Sequence, residues 1–310
     1  MLTAELQEKL NKFIAKYELE SIQELLLQHA EVCIGIKLTK EEDYSSIGNS
    51  RIAGQPDLPP EFEWPGTNKE YYTFLAQINL SEVPGNFINH LPKSGMLYFF
   101  LGVDESVYDI AHKVLYYDGD LSRLKLTLPP EGKEACSSEY RNFISYQIAF
   151  APDYCIRHSS QIIEFLQDRY EAAYRELNYE DSQLWGRPAG FAGDARRDAY
   201  FCRNGLESLL FNYFETPEKI KAKAKMTRAK GREEYAEKLE NVILPQLIEY
   251  TTNKKRHDQA IKNWQLLFKF ASLEEAGMNW WDAGILQFLI DINDLGKRNF
   301  TNTYANIAPS

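Results

Sequence analysis

The chain has 310 residues, 44% hydrophobic, 13% aromatic and 26% charged, a composition that supports a packed core and excludes a disordered or collagen-like polymer. Thirty-five Lys and Arg stand against forty-five Asp and Glu, a formal charge of −10, which opposes general attraction to nucleic-acid phosphates or anionic lipid. The longest apolar runs, Gly95–Val103 and Gly284–Ile290, fall short of the roughly 20 residues a spanning helix needs, and the first residues lack the basic-then-apolar pattern of a secretory leader. No membrane contact and a cytoplasmic location are expected.

Leu6, Leu10, Phe13, Ile14 and Tyr17 recur at helical spacing, and Ser21-Ile22-Gln23-Glu24 reads as a capping box starting a second helix. A β-branched run, Val32 to Leu38, predicts a strand. The proline-rich stretch Ser50 to Pro65 predicts an extended, packed loop that pins Trp64. Strands follow at Tyr72–Leu80, Gly95–Leu101, His112–Tyr117 and Phe143–Phe150, the last stopped by Ala151-Pro152. Residues 160–177 carry one helical stripe, Leu184-Trp185-Gly186-Arg187-Pro188 breaks it, and residues 196–262 read as helical, with a kink at Pro245. Trp264–Ala271 and Gly284–Ile290 return to strand.

The same order of elements occurs twice. Strand Cys33–Ile36, Gly54-Gln55-Pro56, strand Phe74–Leu80 and Gly95–Phe100 are followed by strand Ser145–Ile148, Gly186-Arg187-Pro188, strand Leu266–Ser272 and Gly284–Leu289. A helical insertion lengthens the second series. The fold class expected is α+β: an internally duplicated, mostly antiparallel β core with N-terminal helices and a helical insertion in the second half. The divisions expected are an N-terminal helical pair (1–30), a first β-rich repeat (31–152) and a second repeat (153–310), forming one compact body about a pseudo-two-fold axis.

Ser50-Arg51-Ile52-Ala53-Gly54-Gln55-Pro56, Trp64-Pro65, Phe74 to Leu80, Leu91-Pro92 with Gly95 to Phe100, and Trp281-Asp282-Ala283-Gly284 resemble the YwqG-like family of bacterial proteins. The resemblance implies a cytosolic bacterial protein of the α+β class with an internal duplication, and it brings no particular activity with it.

The sequence holds no phosphate loop, nucleophile elbow or zinc-protease helix. The four cysteines (33, 136, 155 and 202) form no CxxC pair, and Cys155 with His158 is half a metal site at most. Asp118-Gly119-Asp120 suits a hairpin better than a calcium loop. No cofactor or metal is expected. Gly186, Gly190 and Gly193, with Arg187, Arg196 and Arg197, could cradle an anion or form a plain loop.

If equivalent loops face one another across the pseudo-axis, Arg51 and Trp64 approach Arg187, with Gln77 and Asp282 at the rim. Arg offers a fork, Trp a flat floor and Gln both donor and acceptor, a mixture suited to a small polar ligand or a peptide carboxylate of a protein partner. Trp64 as a core plug and Gln77 as a buried partner of loop backbone are the structural alternatives. The reading is a non-catalytic binding or interaction protein; the alternative is a hydrolase using Asp282 or a neighbouring carboxylate as general base. Between Lys219 and Lys238, eight cations face three carboxylates, which reads as a solvated helical face or the dock of an acidic partner.

Overall fold

The computed structural model describes residues 2–84, 90–104, 108–137, 141–156, 159–167, 170–177, 182–188 and 194–308. They form two compact units, Met1–Phe191 with Gln265–Ser310, and Ala192–Trp264.

The first unit is built on a large antiparallel sheet of ten strands: β1 Ala30–Glu41, β2 Arg51–Ile52, β3 Thr73–Asn79, β4 Met96–Leu101, β5 His112–Tyr117, β6 Tyr146–Ile156, β7 Gln183–Gly186, β8 Trp264–Ala271, β9 Ile285–Asp291 and β10 Tyr304–Ala308. From edge to edge their order is β5-β4-β3-β2-β6-β1-β7-β8-β9-β10. Matching β1 to β5 with β6 to β10 makes that order the same from either edge. Local detail follows the match. Ile148 N donates to Ser50 O (3.2 Å) on one side of the central pair and Ile36 N to Ser182 O (3.1 Å) on the other. Ser50 Oγ accepts from Asn79 N (2.8 Å), and Ser182 Oγ from Ala271 N (3.1 Å). Ala53 and Trp185, each just before the glycine of its Gly-x-Pro, have φ near +54°.

Strand β4 is buried at every position because both its faces are covered: Leu97, Phe99 and Leu101 join the main core, and Met96, Tyr98 and Phe100 a second cluster with Leu58, Phe74 and Tyr117. The sheet folds over itself, so that Phe99 of β4 packs on Phe268 of β8 (centroids 4.9 Å) and Phe288 of β9 (5.2 Å). Its edges approach as well, with Ile110 N donating to Ala305 O (2.9 Å). Helices α1 (Ala4–Lys16), α2 (Gln23–His29), α3 (Ser160–Gln167) and α4 (Glu171–Leu177) share a smaller core of Leu10, Phe13, Leu26, Ile162, Leu166 and Ala173 with Ile156 of β6.

Several expectations need correction. Ser21 does not cap α2: Glu20–Ile22 is a 3-10 turn and Ile22 is the N-cap, without a side-chain bond. Strand β6 runs through Pro152, opposite Ile34. Ile148 N points toward β2, so by alternation the missing N–H of Pro152 faces the same side, where β2 pairs only with Tyr146 and Gln147. The stretch Leu184 to Pro188, expected to break a helix and to carry the second Gly-x-Pro, overlaps strand β7, and strand β10 answers to no expectation above.

The second unit comprises α5 (Ala195–Arg203), α6 (Pro217–Ala229), α7 (Glu233–Lys238), α8 (Leu244–Thr252) and α9 (Lys254–Ile261) around Phe201, Leu209, Ile220, Leu239, Ile243, Leu247 and Tyr250. Thr216 caps α6, its hydroxyl accepting from Lys219 N, with Pro217 at the first helical position. The proline at 245 follows a π-helical turn, Leu239–Ile243, which accommodates the lost backbone donor. His257 ties three helices, bonded to Tyr200 Oη at Nδ1 (2.8 Å) and to Glu249 Oε2 at Nε2 (2.9 Å).

Asp198 of α5 carries a pH signature. Burial, opposed by Arg197 and reinforced by Asp194, pushes its carboxyl up to about 6. The folded state keeps this proton to a higher pH than the unfolded chain, so the contribution is full below about pH 4 and is lost as pH rises through 6. Asp198→Asn is expected to raise stability at pH 7 by on the order of 2 kcal/mol and to flatten the decline seen in urea melts between pH 4 and 7. An unchanged slope would contradict this assignment.

Candidate binding cleft

Arg51 lies on β2 opposite Gln77 of β3 and is wholly buried. Its Nε donates to Gln55 O (3.0 Å) and Nη1 to Asn49 Oδ1 (3.0 Å). Asp57 Oδ1 stands 2.5 Å from Nη2 and Glu42 Oε2 3.5 Å from Nη1, while the Tyr44 ring lies 5.1 Å from the guanidinium carbon. Gln77 clamps the same loop: Oε1 accepts from Asp57 N (2.7 Å), and Nε2 donates to Asp57 Oδ2 (2.8 Å) and Asn49 O (2.8 Å). Tyr98 Oη donates to Asp57 O (2.7 Å). Burial alone would push Glu42 up, but hydrogen bonds from Asn49, Gln147 and the Tyr44 amide, with Arg51 beside it, hold its carboxyl below the usual range. The chain's own groups therefore enclose Arg51 and Gln77, as buried charge requires.

Trp64 stands elsewhere. Its Nε1 donates to Tyr72 O (2.8 Å), and its ring meets Tyr71 (5.8 Å) and Phe100 (5.6 Å) edge-on. One side of it walls a cleft of about 270 Å³ shared with Tyr71, Phe74, Phe143, Arg141 and Cys136. The Ala53-Gly54 turn, left-handed at both residues, forms one corner. Arg141 was not foreseen. Its side chain is 4% exposed, its Nη1 donates to Thr73 Oγ1 (3.1 Å) and Leu101 O (3.2 Å), and its Nη2 lies 3.0 Å from Asp104 Oδ1 without forming a hydrogen bond there. Burial pushes the Cys136 thiol up, so it stays protonated and is a poor nucleophile. Among the described residues the cleft thus offers flat apolar walls and one enclosed cation.

Arg187 donates to Ile156 O (2.7 Å), at the far end of β6 from Gln147, which faces Arg51. Nine residues of extended strand separate those two positions, about 30 Å. Arg51 and Arg187 do not share a site. Asp282 is exposed in a tight turn between Trp281 (φ 56°) and Ala283 (φ 54°), behind buried Trp280, whose ring meets Phe143 of the cleft wall at 5.6 Å. Gly190, Gly193 and His158 lie outside the described residues. Arg196 pairs with Asp194 (3.0 Å), and Arg197 covers the Tyr213 ring (4.3 Å). All four cysteines are buried free thiols. At the place matching Arg51 and Gln77, Gln183 opposes Lys269, both buried.

No curated protein matches the chain. A family model does, across residues 50–308, a span that takes in β2 to β10 and both Gly-x-Pro turns. By that match the chain belongs to the family described as a domain of unknown function, DUF1963.

Proposed function

We propose that this chain is a binding protein for a small, flat, partly apolar molecule bearing a carboxylate or carbonyl group, held without chemical change in the Trp64–Arg141 cleft. The supporting observation is the convergence of four aromatic side chains with one buried guanidinium whose ion-pair partner, Asp104, is itself partly exposed. Ligand pockets are largely apolar with a few fixed polar groups, and the volume suits a group about the size of an amino acid. The finer YwqG-like assignment and a duplicated origin of the two halves belong to the same proposal. The palindromic strand order and the repeated Ser50 and Ser182 hydrogen bonds support the latter.

The test is isothermal titration of a panel of aromatic and heteroaromatic carboxylates into wild type, Trp64→Ala and Arg141→Met. A charged hydrogen bond is worth about 1.5–3 kcal/mol, so Arg141→Met is expected to weaken binding about tenfold or more, and Trp64→Ala, which strips an aromatic wall, to weaken it as well. Equal binding by wild type and both variants, with all three folded, would overturn the assignment. So would silence across the whole panel.

A further inference from the structure

The basic stretch on α6 and α7 is not part of the cleft, and its geometry is more particular than a solvated face. Helix α6 buries only Ile220 and Ala224. Its Lys219, Lys223, Met226 and Lys230 follow one another at i,i+3 and i,i+4 steps and so lie along one side. A Schellman turn reverses the chain: Gly231 N donates to Arg228 O (2.9 Å) and Arg232 N to Thr227 O (3.2 Å). Gly231 has φ +73°, which the turn requires. The reversal brings Arg232 and Tyr235 alongside α6 and closes a groove of about 500 Å³.

Met226 (61% exposed) and Tyr235 (41%) give the groove an apolar floor. Lys219, Lys223, Lys230 and Arg232 line it, against one carboxylate, Glu215, which sits 3.7 Å from Lys219. Among the described residues Lys223, Lys230 and Arg232 form no salt bridge, whereas Arg228 is held by Glu233 (2.7 Å) and by both oxygens of Glu240 (2.9 Å). Three of the four cations that line the groove are thus uncompensated among the described residues, while Arg228, on the same helix but outside the groove, is neutralised. That is unusual in a chain of net charge −10, and it complements a negative ligand with apolar side chains.

We propose that this groove docks an acidic protein segment, its carboxylates meeting Lys223, Lys230 and Arg232 and an apolar side chain settling on Met226 and Tyr235. The probe is a short fluorescein-labelled peptide with Asp and Glu flanking a Leu-Phe pair, followed by anisotropy with the full chain. Binding is expected to weaken about tenfold in Lys223→Glu and in Lys230→Glu. It should also fall as salt is raised, weaken when Leu-Phe is replaced by Ser-Ser, and change little in Lys255→Glu, which alters net charge equally on α9. Four results would overturn the proposal: no binding to wild type, equal losses in Lys223→Glu and Lys255→Glu, displacement of the peptide by single-stranded DNA of equal charge, or a dimer of the chain that Lys223→Glu dissociates.

Discussion

Replacing Arg51 by Met is expected to destabilise the first unit by about 3–5 kcal/mol, the cost of leaving buried charge without its partner. Two carboxylates are at stake. Asp57 and Glu42 both face the guanidinium, and the side chains of both are fully buried. Asp57 also accepts from Gly48 N (2.7 Å) and Gln77, so an uncompensated charge there disturbs the loop that Gln77 clamps. Lys in place of Arg keeps the charge but cannot reach Gln55 O, Asn49 and Asp57 together, and an intermediate loss is expected. Because Glu42 is held below its ordinary pKa, its contribution is present above the usual carboxylate range and disappears as pH falls through the lowered value. Urea denaturation at neutral pH checks this: a change under about 1 kcal/mol for Arg51→Met would mean that the network adds little.

Gly54→Ala is expected to cost about 3 kcal/mol or more, much beyond the usual strain of a left-handed alanine. Gly54 has φ +70°, and a β-carbon there would lie 2.7 Å from Ser145 Oγ and 2.8 Å from Ser145 Cβ, besides overlapping the Tyr44 hydroxyl. Ser145 cannot retreat freely, since its hydroxyl donates to Ile52 O (3.0 Å) and Ala53 O (3.2 Å) and holds the β2 turn against the start of β6. Gly132 is the control. Its φ is +76° with nothing within 4 Å of an added β-carbon, so Gly132→Ala should show only the backbone cost, about 1 kcal/mol. Equal losses in the two variants, read from denaturation midpoints, would remove the steric argument.

The legible parts of this fold were those where periodicity and punctuation agree. His112–Tyr117, rich in Val, Leu and Tyr, ends at Asp118-Gly119, and it is a strand with those bounds. Thr216-Pro217 announces α6 and does start it. Gln183–Gly186 failed the same test, because four residues ending in Gly carry no period and Trp185 takes a left-handed φ that only the tertiary fold specifies. Pro152 looked like a stop signal because the sequence does not reveal which edge of β6 its absent N–H would face. The cleft divides in the same way. Trp64 stood out between its prolines, and the structure places it in a cleft wall. Arg141 sits in an aperiodic stretch, and it lines the same cleft as Trp64 because Thr73 and Leu101, on neighbouring strands, fix its guanidinium. Arg51 looked like a ligand fork because composition does not show that Asp57 and Glu42 already fill it.

Chain labelled with 5-fluorotryptophan, whose five indoles give separate ¹⁹F resonances, reports on the cleft that Trp64 walls, the Trp64 line being assigned through Trp64→Phe. Titration with the tightest-binding aromatic carboxylate is expected to move the Trp64 line saturably while the lines of Trp264 and exposed Trp281 stay in place. A Trp64 line that holds still while another moves would put the ligand outside this cleft.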